Sequence, residues 1–104
     1  MSTLFVLYVY APTTFTSDTK IETVDGDALV PDQAHQITLP AGIYRFPDTA
    51  TVTPAGKGDG FDRRLHTKGD LPDPPLHAKQ QLAAGVAKLD GFLNSAGDEP
   101  EEIL

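Results

Sequence analysis

The sequence predicts a mainly β fold: a small antiparallel β-sandwich or barrel with one C-terminal α-helix. Three observations carry this. Short β-branched or alternating runs recur between turn signals from the N-terminus to residue 54. A single apolar stripe at helical spacing follows, near the C-terminus. Strands first and helix last is an order that argues against a parallel α/β sheet.

Thr3 to Tyr10 reads as the first strand, because LFVLYVY is aromatic and β-branched, lacks Gly, and is stopped by Pro12. Alternation puts Phe5, Leu7 and Val9 on one face and Leu4, Val6, Tyr8 and Tyr10 on the other. Both faces are apolar, so the strand is either sandwiched within the fold or shared with a partner. Four of the eight aromatic residues lie in the first fifteen positions, which marks this segment as core.

Thr13 to Thr19 is rich in Thr and Ser and reads as an exposed loop or edge. Lys20–Val24 and Ala28–Val30 flank Asp25-Gly26-Asp27, the composition of a short hairpin turn, where Gly accepts positive φ. His35–Leu39 alternates, Pro40-Ala41-Gly42 supplies a β-turn, and Ile43–Phe46 resumes extended structure. Thr49–Thr53 alternates with Ala50 and Val52 inward, and Pro54 ends it. From Ala55 to Pro75 the pattern fades, and only Phe61–Leu65 reads as a strand. A long stretch with so little pattern is commonly functional or mobile.

The helix is expected over about 74–95, with Asp73 as N-cap and Pro74 in the first turn. Leu82, Val86, Leu89 and Leu93 make its apolar stripe, with Phe92 beside it. Gly85 and Gly91 each weaken it by about 1 kcal/mol relative to Ala, so it needs packing to persist. The chain then divides into one β-rich domain over 1–97 and an acidic tail over 98–104, which carries −4 of the net −7.

Composition excludes several classes. With 104 residues there is room for one small domain. The absence of Cys removes disulfides, thiolate metal sites and cysteine nucleophiles, and suits a reducing interior. A net charge of −7 repels phosphate and speaks against direct nucleic-acid binding. The longest apolar run, Leu4–Ala11, is eight residues, against about 20 for a membrane-spanning helix. It lacks a basic flank and a cleavage site, so no secretory signal is expected and the location read is cytoplasmic or within a virion.

His35, His66 and His77 are 31 and 11 residues apart, without metal-ligand spacing, and no cofactor is implied. Asp25-Gly26-Asp27 lacks the remaining ligands of a calcium loop. Gly56-Lys57-Gly58-Asp59-Gly60 lacks the Lys-Ser/Thr step and the helix of a phosphate-binding loop. Lys57, Arg63, Arg64, His66 and Lys68 form the one locally basic stretch, which reads as a solvated mixed-charge loop or as a docking patch for an acidic partner such as the tail of a neighbouring copy.

The function expected is non-enzymatic: a small structural or assembly subunit of a multi-copy particle, such as a phage virion or capsid decoration protein. Its partners would be other protein subunits, with a homo-oligomer foremost. Candidate contact residues are Leu4, Val6, Tyr8 and Tyr10 on the first strand and Lys57, Arg63, Arg64 and Lys68 in the basic stretch. To these are added Leu82, Val86, Leu89 and Leu93 on the helix and Glu101, Glu102, Ile103 and Leu104 in the tail. A ligand- or carbohydrate-binding β-module would instead use Tyr8, Tyr10 or Tyr44 as stacking platforms. A small metal-free hydrolase or nuclease would use His66 with Arg63 and Arg64.

Overall fold

A computed structural model describes residues 3–56 and 60–94. Eight strands form two antiparallel sheets, which selects the sandwich over the barrel. The larger sheet contains β1 (Thr3–Val9), β3 (Ile21–Thr23), β4 (Ala28–Leu29), β6 (Gly42–Pro47) and β8 (Phe61–Thr67), in the order β4-β3-β6-β1-β8. The smaller one contains β2 (Thr13–Ser17), β5 (Gln36–Leu39) and β7 (Val52–Pro54), in the order β5-β2-β7. Three short helices, α1 (Leu76–Gln81), α2 (Ala83–Val86) and α3 (Leu89–Asn94), follow.

The two apolar faces of β1 explain the layering. Leu7 and Val9 join Phe15, Ile37, Leu39, Tyr44, Phe46 and Val52 in a core between the sheets. Leu4, Val6 and Tyr8 join Ile43, Ala78, Leu89 and Leu93 in a second core between the larger sheet and the helices. The molecule is therefore three layers deep, with β1 in the middle one. Period-two alternation made each face of β1 a wall of a different core.

The hairpin around Gly26 forms as its composition requires. Gly26 takes φ 95° and its N–H donates to the Thr23 carbonyl at 3.0 Å, between β3 and β4. Pro40–Gly42 turns the chain too, but β5 and β6 lie in different sheets, so this is a corner between layers and not a hairpin.

Thr13–Ser17, expected as loop or edge, is instead the central strand of the smaller sheet, pairing with β5 and with β7. Phe15 and Ser17 point inward and are fully buried, while Thr14 and Thr16 alternate outward. The Ser17 hydroxyl donates to the Thr19 carbonyl at 2.6 Å and accepts from the Thr19 N–H at 3.1 Å, which makes its burial affordable.

The single helix expected over 74–95 is broken into three. Leu82 interrupts it with φ −127° and ψ 39°, outside the helical region. The apolar period nevertheless holds, because Leu82, Val86, Leu89 and Leu93 all pack into the same core. Packing against the sheet therefore decides the backbone path, as expected of a segment with low intrinsic helicity. Gly85 contributes by closeness, since a Cβ there would meet Ile43 Cδ1 at 2.9 Å. Asp73 is not the N-cap: the cap position is Pro75 and the helix starts at Leu76. Pro75 disfavours helical backbone at Pro74, so the helix cannot begin earlier.

Candidate interaction surface on the β8 edge

Strand β8 pairs with β1 along its whole length, with Phe5 opposite Leu65, Leu7 opposite Arg63 and Tyr8 opposite Asp62. Beyond β8 the larger sheet has no further strand among the described residues. The register divides its side chains cleanly. Phe61, Arg63, Leu65 and Thr67 share the face of Phe5, Leu7 and Val9, while Asp62, Arg64 and His66 share the face of Leu4, Val6 and Tyr8.

Arg63 lies back over the sandwich. Its guanidinium sits 5.0 Å above the Phe5 ring and Nη1 donates to the Val52 carbonyl at 3.1 Å. Arg64, on the other face, donates through Nη1 to the Asp73 carbonyl at 3.1 Å and to Asp73 Oδ2 at 3.2 Å. That pair is largely exposed, so it orients Arg64 more than it stabilises the fold. Asp62 accepts the Tyr10 hydroxyl at 2.6 Å, and Tyr10 meets the His77 ring edge-on at 4.2 Å.

His66 is the one buried residue of β8. Its Nε2 lies 3.0 Å from Asn94 Oδ1, which also accepts the Gly69 N–H at 2.7 Å. Asn94 Nδ2 donates to Asp90 Oδ1 at 2.6 Å and to the Asp70 carbonyl at 3.1 Å. This cluster ties the end of α3 to the turn after β8. The imidazole faces an amide where acid–base work would want a carboxylate, and Arg63 lies on the opposite face of the strand. His66 and Arg64 border a cavity of about 200 Å3 together with Tyr8, Leu65, Asp70 and Leu71. Among the described residues no three His, Asp or Glu side chains gather into a possible metal site.

The apolar residues proposed from sequence as contacts are consumed internally. Leu4, Val6, Tyr8, Leu89 and Leu93 are buried against one another, and Tyr10, Leu82 and Val86 are half-buried against the same core. The reason is that β1 and the helical segment cover each other, which a linear reading cannot show. Tyr44 is also buried, with its hydroxyl donating to the Pro40 carbonyl at 2.5 Å, so neither Tyr8 nor Tyr44 is a stacking platform. Burial pushes the Tyr8 hydroxyl up to about 12. Burial, and then the hydrogen bond to Asp62, drives Tyr10 upward, and burial alone drives Tyr44 upward. Lys68 is half-buried in the turn after β8. Lys57, Glu101, Glu102, Ile103 and Leu104 lie outside the described residues.

Surface leucines are the feature that the sequence reading missed. Four large apolar side chains are mostly exposed among the described residues, and three of them fall between positions 65 and 76: Leu65 at 61%, Leu71 at 85% and Leu76 at 68%. Leu65 shows apolar beside Arg63 and Arg64 on an edge, and Leu71 is isolated between Asp70 and Pro72. That isolation is the one sequence signal that could have found it.

No known protein family, curated protein or solved structure matches the chain. No helix among the described residues is long and apolar enough to cross a membrane.

Proposed function

We propose that this protein is a non-enzymatic assembly subunit that docks onto neighbouring protein subunits through the β8 edge, as a component of a multi-copy particle such as a virion or its capsid decoration. The supporting observation is the β8 margin: a seven-residue strand ending the larger sheet, with Leu65 exposed on it and Leu71 and Leu76 exposed in the segment that follows it in the chain. An edge of that length offers backbone N–H and C=O groups to a further strand. Exposed leucines in one chain region mark a contact surface better than scattered ones do. The lack of Cys suits a particle assembled in the cytoplasm.

Sedimentation velocity and light scattering across concentration test this reading. Species larger than a monomer should grow with concentration. Replacing both Leu71 and Leu76 by Glu should reduce them without lowering the melting temperature, because both side chains are mostly in solvent already. A chain that stays monomeric at every accessible concentration overturns it.

A further inference from the structure

We propose that β8 pairs with β8 of a second copy, antiparallel, about a two-fold axis at Arg63, joining two five-stranded sheets into one. This rests on the assembly reading and names its partner. The other sheet margins offer less: β4 has two residues, β7 three and β5 four, against seven in β8.

A two-fold axis perpendicular to a sheet preserves its faces, so only residues on one face of β8 can oppose each other across it. The axis must then pass through a residue, and five choices overlap at least three residues of each strand; of these, centring on His66 sets two buried side chains opposite each other. Centring on Asp62 sets the two Asp62 carboxylates opposite each other. Centring on Arg64 sets the two Arg64 side chains opposite each other and leaves Leu65 facing Arg63. Centring on Leu65 sets Arg64 against His66, a buried side chain. Centring on Arg63 sets Asp62 opposite Arg64 twice and Phe61 opposite Leu65 twice.

Only this last register matches charge with opposite charge and apolar with apolar at both symmetric positions, which is what stabilises cross-strand neighbours. Its central pair is two arginines, and the structure already turns them away from the axis. Each guanidinium is held over its own Phe5 and on its own Val52 carbonyl. The pairing would cover Leu65, and Asp62 can accept from Arg64 while holding the Tyr10 hydroxyl, since a carboxylate has several acceptor sites. With two Arg and one Asp, β8 is locally +1 in a chain of −7, so copies repel each other least there.

The chain has no Cys, so one introduced cysteine reports pairing without ambiguity. Arg63→Cys should give a disulfide-linked dimer on a non-reducing gel, because opposed Cα atoms lie about 4.5–5.5 Å apart, within the span a disulfide bridges. Arg64→Cys and Leu65→Cys should not, since their copies are offset along the strands by two and four residues, about 7 and 14 Å. Asp62→Arg and Arg64→Asp should each weaken association by about tenfold, and the double exchange should recover most of it. Melting curves of these variants exclude misfolding as the cause. Association that persists with no Arg63→Cys link and no response to the charge exchanges overturns the pairing while leaving the assembly reading standing. A linked Arg64→Cys dimer without a linked Arg63→Cys dimer overturns the register. A strictly monomeric protein overturns both.

Discussion

Strands β1 and β8 are neighbours of equal length, seven residues each, yet five residues of β1 are buried and only one of β8. Each bonds to the other along its full length, so that shared ladder does not separate them. What separates them is cover. β1 has β6 on its other side, the smaller sheet beneath and helices above, whereas β8 ends the sheet and leaves Leu65 exposed. One strand carries stability, and the other has side chains to spare for a partner.

The largest effect should fall on β1. Leu7→Ala removes a side chain 1% exposed and should cost about 2–5 kcal/mol in denaturant unfolding, a large part of the 5–15 kcal/mol typical of a domain. A loss as small as that of a surface leucine would break the contrast.

Alkaline titration comes next. The chain has three tyrosines, and all three hold their protons above the ordinary value near 10 when folded. In the unfolded chain they ionise near 10, so between pH 10 and 12 the unfolded state binds fewer protons and stability falls with rising pH. Below pH 10 their contribution is fully present. Absorbance at 295 nm should show no tyrosine ionising at the ordinary value, with the rise coinciding with loss of structure. A normal tyrosine titration in the folded protein would show that the faces of β1 are less sealed.

Asn94→Ala tests the one buried point of β8. It removes the partner of His66, of the Gly69 N–H and of the Asp70 carbonyl, and should cost about 1–3 kcal/mol by thermal or denaturant melting. The smallest effect is expected at Leu65→Ala, within about 0.5 kcal/mol of parent stability because the side chain is 61% exposed. The two leucines share a face of one sheet, so their difference measures cover alone.

Much of this contrast was legible in the residues. The continuous apolar run of β1 announces a strand covered on both faces, and the Asp25–Asp27 hairpin and the Pro40–Gly42 turn were marked by their own chemistry. Thr13–Ser17 was not legible, because its hydroxyl side chains resemble a loop and one buried Phe15 is a thin alternation signal. Helix breakage at Leu82 was hidden because the stripe obeys helical spacing on both sides of it. At the candidate surface, Arg63 and Arg64 stood out by charge. Leu65, Leu71 and Leu76 did not, since exposure depends on how the layers assemble, which a linear pattern does not show. The segments proposed as sticky from sequence are those that satisfy each other.

The interior position of β1 has a consequence for biosynthesis. Both of its partners are encoded later, β6 from residue 42 and β8 up to residue 67. At a translation rate of about 5–20 residues per second, the strand waits from about 3 to about 12 s before both neighbours have emerged. During that wait LFVLYV is a bare β-prone segment of low charge, the kind that nascent chains bury in one another when polysomes are crowded. Yield on overexpression should therefore depend on how fast ribosomes deliver the middle of the message, more than on how stable the finished molecule is.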